Sequence, residues 1–291
     1  MNKELNKELN LTKLLFGVPS DIEVYPEITR GFIEKGEYGI DAFRRYMREL
    51  GYSDAKVEEI LLAIYKEAKR RYAVDPSYED LLAAVCSGIG SFYLDLGCEE
   101  AERFLLEAFN LRYKLYGSKK AFLLANTMIK LGIFYMQNGK LEKGRIMFED
   151  AYMIMKDLYE QSKEFESYYA LAALNLGVAY SEIRRPEEGL KYLFEAMKYK
   201  HVLPCGGAIL YYNMALCYQD LGEYDKAIEF YIKSSAIALN NGFIDVKESM
   251  GRALKIASPD QVYSKMKELL NRGEISKKEF MKLVSILEKL V

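Results

Sequence analysis

Four polar residues set among apolar neighbours carry the first chemical suggestion in this sequence: Asn126, Lys130, Asn175 and Asn213. A carboxamide offers one acceptor and two donors, the complement of a peptide unit, so repeated asparagines can hold an extended backbone without reading its side chains. Asparagine is about 0.6 kcal/mol worse than alanine inside a helix, so its recurrence asks for a reason. Covalent and acid–base chemistry finds no comparable support. The single histidine, His201, lies beside Lys198 and Lys200, with no nearby carboxylate or cysteine in sequence to make a dyad. Cys86, Cys98, Cys205 and Cys217 form no CxxC pair and have no metal-ligand spacing. Gly88-Ile89-Gly90 sits in a helical pattern rather than after a strand, so it is not a phosphate cradle. The expectation is a protein that is not an enzyme, with no cofactor and no metal.

Composition narrows the partner. The 291 residues include 41 Lys and Arg against 43 Asp and Glu, for a formal charge of −2, and no long run of one sign. That balance argues against a nucleic-acid footprint or a polybasic membrane anchor. Half the residues are hydrophobic, enough for a large core. The opening stretch MNKELNKELNLTKLLFG breaks its apolar residues with charge, unlike a signal peptide, and no segment is long and apolar enough to span a membrane. A cytoplasmic protein with a protein or peptide ligand is expected, without nucleic acid or membrane.

The elements that position the four polar residues come from an internal repeat. A small residue precedes a tyrosine by three at Gly90 and Tyr93, Gly132 and Tyr135, Gly177 and Tyr180, and Ala215 and Tyr218, at intervals of 42, 45 and 38 residues. After each comes a break and a second amphipathic helix bearing a small residue and, four on, a large one: Ala101 and Leu105, Gly144 and Phe148, Gly189 and Leu193, Ala227 and Tyr231. Two antiparallel helices approach closely only where both carry small side chains, which Gly132 with Gly144 and Ala215 with Ala227 supply. Gly222 is the turn of the clearest unit, Tyr211 to Ser235. The third unit has Arg184-Arg185-Pro186 where its glycine turn is expected, and the first is one residue short between Gly97 and Ala101.

On these positions the chain resembles the tetratricopeptide-repeat (TPR) family, whose usual period is 34 residues. Its longer spacing resembles the variant found in kinesin light chains and bacterial peptide-sensing regulators. The resemblance implies an all-α fold, a right-handed α-solenoid of antiparallel helix pairs with helical N- and C-terminal caps. It divides the chain into an N-terminal helical segment (1–19), a cap or degenerate repeat (20–78), four helix pairs in 79–242 (79–117, 118–162, 163–203 and 204–242), and C-terminal helices with a capping hairpin (243–291).

Two residues turn a helix by roughly 200°, so the residue two before each small position points away from the paired helix. Those residues are Gly88, Lys130, Asn175 and Asn213, and helical steps extend each into a stripe. The first stripe is Ala84, Gly88, Ser91 and Asp95. In the TPR family this face lines the concave groove. The resemblance therefore implies partner-binding residues Asn126, Lys130 and Gln137 in the second unit, Leu171, Asn175, Val178 and Glu182 in the third, and Ile209, Asn213, Leu216 and Asp220 in the fourth. The acids Asp95, Glu182 and Asp220 add the expectation of a ligand with basic character. The function expected is an adaptor that binds an extended peptide segment. The alternatives are a peptide-responsive sensor, with residues 20–75 or 258–291 transmitting the signal, and a scaffold that self-associates through its C-terminal helices.

The flanks read as helices. GIDAFRRYMREL and SDAKVEEILLAIYKEAKRRYA around Gly51-Tyr52 suggest a leading cap or repeat. A DNA-binding helix-turn-helix is the other reading, opposed by Asp54, Glu58 and Glu59, which would push acid toward phosphates. In residues 258–291, Ser258 with Gln261 and Ser276 with Glu279 form capping boxes, and Ile275 can staple onto Phe280. This hairpin resembles the short association module of SHOCT-type proteins; a solenoid cap is the simpler reading.

Overall fold

The computed structural model describes residues 51–115, 121–203, 207–241 and 246–291. The helices expected over 1–19 and 39–50, and the turn at Pro204-Cys205-Gly206, lie outside them. Among the described residues the secondary structure is helical throughout, with no strand. The α-helices are α1 (Asp54–Val74), α2 (Glu79–Asp95), α3 (Glu100–Lys114), α4 (Ala121–Gln137), α5 (Leu141–Gln161), α6 (Glu166–Glu182), α7 (Pro186–Met197), α8 (Ala208–Asp220), α9 (Tyr224–Asn241), α10 (Val246–Ile256), α11 (Pro259–Asn271) and α12 (Lys277–Leu290). The chain divides into two compact units, 1–134 and 135–291.

In the first unit, Ser53 caps α1, which buries Val57, Ile60, Leu61, Ile64, Tyr65 and Ala68 as it packs on α2. Glu58, an acid weighed against DNA binding, accepts a hydrogen bond from Tyr93 Oη at 2.6 Å. Glu107 of α3 accepts one from Tyr65 Oη at 2.7 Å. α2 pairs with α3 and is buried without interruption from Leu81 to Tyr93. Such a helix has no free face, as its near-continuous apolar sequence requires. Arg112 of α3 is buried, and its Nη1 donates to Leu123 O of α4 at 3.1 Å and to Thr127 Oγ1.

In the second unit, each helix from α5 to α10 packs on the next, with α6–α7 and α8–α9 as the intimate pairs. One core runs from Ala170 through Leu193, Met214, Tyr231 and Met250 to Leu287. The close approach rests on glycine, although not only on the small-to-small contact expected. A Cβ at Gly177 would stand 2.7 Å from Leu193 Cγ, and one at Gly90, in the first unit, 2.6 Å from Leu105 Cγ. The first-helix glycine therefore seats the large side chain of its partner helix. Gly189 of α7 does press on backbone, since its Cβ would lie 3.1 Å from Gly177 O.

The turns after α2, α4, α6 and α8 share one geometry. The residue after the turn donates its N–H to the repeat tyrosine's carbonyl: Cys98 to Tyr93, Lys140 to Tyr135, Arg185 to Tyr180 and Glu223 to Tyr218, at 2.8–2.9 Å. This six-to-one closure needs a left-handed residue just before it. Gly97, Gly139 and Gly222 fill that place at φ 69°, 69° and 76°. In the third repeat Arg184 fills it at φ 61°, the one positive φ of a non-glycine residue among those described.

The C-terminal hairpin closes the stack. Both capping boxes form as expected. Val262, Met266, Leu269, Ile275, Phe280, Leu283 and Leu287 are buried in the second unit's core. Lys265 pairs with Asp225 at 2.8 Å and Arg272 with Glu229 at 2.9 Å, tying α11 to α9. The hairpin's apolar face is thus covered inside the unit, as a cap requires.

Two outcomes follow from this packing. Gly177→Val should cost about 1–3 kcal/mol in urea unfolding by overpacking Leu193, whereas Gly251→Ala, in α10 with no atom within 4 Å of the new methyl, should gain up to about 1 kcal/mol from helix propensity. Deleting residues 258–291 should lower the melting temperature and raise dye binding to newly exposed apolar surface, measured beside light scattering of the intact chain. A truncated chain of unchanged stability would show that the hairpin is not a cap.

Candidate functional site

The expected stripes meet different fates. In the first unit, Ala84, Gly88 and Ser91 of α2 are buried and only Asp95 is exposed, so this stripe offers no open strip. The reason is the interior position of α2. Lys130 of α4 donates to Ser91 Oγ, which places the α2 and α4 stripes side by side. Asn126 and Lys130 are half-buried and both engaged within the fold. Gln137 is exposed at the last residue of α4.

In the second unit the stripes of α6 and α8 belong to neighbouring helices. Leu171, Val178 and Leu216 are half-buried against the core and Ile209 is exposed. Together they form an apolar strip that keeps part of its surface in solvent. The two asparagines differ although they share a repeat position. Asn213 is only 6 % exposed, and its Nδ2 donates to Ile209 O, one turn back, at 2.8 Å. That bond is the local reason for its tolerance inside a helix, and it corrects the picture of Asn213 as an open clamp. Asn175 is half-buried and makes no side-chain hydrogen bond to a described residue. Its amide is the one left available.

The far edge of the strip is polar. Ser181, Glu182, Arg184, Gln219, Asp220 and Arg252 line a cleft of about 240 Å³, with Leu216 at its apolar side. Arg184 Nη1 donates to both oxygens of Asp220 at 2.7 Å, a bond that raises the arginine further above its ordinary pKa. Gln219 Oε1 accepts from Tyr231 Oη at 2.7 Å, which orients the amide. Burial pushes the Tyr231 phenol up to about 12, so it stays a neutral donor. Arg252 lies over the Tyr212 ring at 5.5 Å, and its Nε stands 3.5 Å from Glu248. Arg184 and Arg252 were not expected at the site. The signal available in the sequence was Arg184 standing where the sister turns have glycine.

The remaining chemistry is inert. His201 Nε2 lies 2.9 Å from Glu166 Oε1, a carboxylate that sequence proximity did not reveal, yet the imidazole is 66 % exposed and ties a surface turn to the start of α6. Burial pushes the Cys217 thiol up to about 11 and raises Cys86 as well, so neither is a ready nucleophile. No group of three metal-ligating side chains occurs among the described residues. None of their helices is long and apolar enough to cross a membrane.

These observations define an all-helical repeat protein built from paired helices. It is of tetratricopeptide type: the tetratricopeptide repeat family model matches residues 208–241, which are α8, α9 and the Gly222 turn. No sequence match was found among curated proteins. Among solved structures, BtubC (BKLC) from P. vanneervenii superposes with a TM-score of 0.56 at 18 % identity, over 82 % of this chain and 90 % of that one. A variant of a Podosopora anserina protein with nearly identical TPR-like repeats of kinesin-light-chain type superposes with a TM-score of 0.53 at 18 % identity, over 68 % of this chain and 92 % of that one. At this identity the likeness is one of fold. The family match falls on the pair whose first helix is 13 residues long, whereas α2, α4 and α6 have 17 each. The longer first helices are where these repeats outgrow the common period.

Magnitudes single out Arg184. A left-handed conformation costs a residue with a Cβ roughly 1–2 kcal/mol, and an exposed ion pair returns about 0–1 kcal/mol. The pair with Asp220 therefore does not offset the strain. Arg184→Gly should leave stability unchanged or raise it by up to about 1 kcal/mol, read from thermal unfolding of the two proteins.

Proposed function

We propose that this protein is a non-enzymatic adaptor that holds an extended segment of a partner protein along the first-helix face, with α6 and α8 as its centre. The observation that carries this reading is the pairing of a partly exposed apolar strip, Leu171, Val178, Ile209 and Leu216, with the unengaged amide of Asn175. An extended peptide supplies what both lack: apolar side chains on one side and a backbone N–H and C=O for the amide. Asn126, Lys130 and Gln137 are further candidate contacts, and Asn213 contributes through its remaining acceptor oxygen rather than its nitrogen. The expectation of a basic ligand rests on Glu182 and Asp95, because Asp220 is already neutralised by Arg184. The free thiols of Cys86, Cys98 and Cys217 suit the reducing cytoplasm.

The test is affinity capture from the native cell with the intact protein and with Asn175→Ala. Leaving a bound peptide group unpaired costs about 1–3 kcal/mol, so the variant should lose its partners about tenfold or more in affinity while its helicity stays the same. Retention of every partner by a well-folded Asn175→Ala protein would refute the adaptor face.

A further inference from the structure

The cleft at the far edge of the strip has more to it than a continuation of the groove. Three donors converge there with capacity to spare. Arg184 commits one nitrogen, Nη1, to both oxygens of Asp220, so Asp220 holds the guanidinium in place while Nε and Nη2 make no further bond to a described residue. Gln219 is oriented by the Tyr231 hydroxyl on its oxygen, so its NH2 is the free end. Arg252 has its Nε without a hydrogen-bond partner among the described residues, and its guanidinium rests on the Tyr212 ring beside Glu248. All three line the same cleft.

Opposite these donors stand Glu182 at the mouth and Asp220, whose two oxygens are already taken. Unused hydrogen-bonding capacity in the cleft therefore lies mainly with donors. An acceptor carrying negative charge matches them, and a planar carboxylate fits the fork of a guanidinium in particular. The backbone of Arg184 points the same way. This chain tolerates a left-handed arginine where three sister turns use glycine, for an ion pair that does not compensate the strain. A side chain retained under such conditions is a candidate for function.

We propose that this cleft is a carboxylate subsite of the peptide-binding face, in which Arg184, Arg252 and the Gln219 amide receive an aspartate or glutamate side chain of the bound segment, with Asp220 as the positioning residue for Arg184. The proposal rests on the adaptor reading and reverses the charge that the acids of the stripe suggest. The ligand is acidic at this point, and its apolar and backbone groups run from there along α6 and α8.

Arg184→Gly tests it without disturbing the fold, because glycine is what the sister turns already carry. The probes are end-blocked hexapeptides of glutamate, glutamine and lysine, titrated at low salt by calorimetry and by the Nε–Hε resonances of the arginines. The glutamate peptide should perturb Arg184 and Arg252 and bind the intact protein about tenfold more tightly than the Arg184→Gly variant, the loss expected for one charge-assisted contact. The glutamine and lysine peptides should leave both resonances unmoved. Arg252→Gln should weaken the glutamate peptide in the same direction. A lysine peptide that binds at the cleft, and binds more tightly once Arg184→Gly frees Asp220, would overturn the proposal. So would a glutamate peptide indifferent to Arg184→Gly. Asn175→Ala run in parallel separates this result from the adaptor reading: partners lost with Asn175→Ala but kept with Arg184→Gly leave the adaptor face standing and remove the subsite.

Discussion

Everything in this architecture depends on how closely two helices approach at a glycine. Where Leu193 drops onto Gly177, the room for a large side chain is the room that a Cβ would have taken. Leu105 over Gly90 is the same contact in the first unit. Dispersion and burial are gained only at such short range, so the helix pair is the cohesive element of the stack. The tyrosine three residues after the glycine then serves twice. Its ring packs beside the second helix, as Tyr93 stacks on Phe104, Tyr180 on Tyr192 and Tyr218 on Phe230. Its carbonyl closes the turn that sends the chain back.

A stack of pairs held in this way must end somewhere, because each pair leaves an apolar face for the next. In the second unit α10 follows α9, and the capped hairpin α11–α12 covers both. Ion pairs from Lys265 and Arg272 to α9 surround the covered face. They set its register more than its strength, as partly exposed charges do. The apolar residues Leu283 and Leu287, which in isolation look available for association, are interior here.

The polar edge of the α6–α8 face follows from the same turn geometry. Because the third repeat closes with Arg184 in place of glycine, a cation is carried to the end of the apolar strip, where Asp220 of the next repeat meets it. The face is thus graded, from the apolar Leu171 and Ile209 through the Asn175 amide to a charged cleft. A gradient of that kind gives an extended ligand a direction as well as a grip.

Much of this was already legible along the chain. The repeat tyrosines, the glycine turns at 97, 139 and 222, and both C-terminal capping boxes are local patterns whose partners lie within one helix or one turn. Residues a few positions apart meet whatever the rest of the molecule does. The candidate face was legible as a stripe but not as an open one. Asn175 and Asn213 occupy equivalent places in sequence, and only the packing around them leaves one half-exposed and buries the other. Arg184 with Asp220, 36 residues away, and His201 with Glu166 come together because neighbouring repeats stack at a fixed offset. By itself the sequence determined the helix pair, its turn and its cap. Tertiary structure decided which polar groups were satisfied within the fold and which were left for a ligand, since burial and long-range pairing are properties of the stack and not of any one repeat.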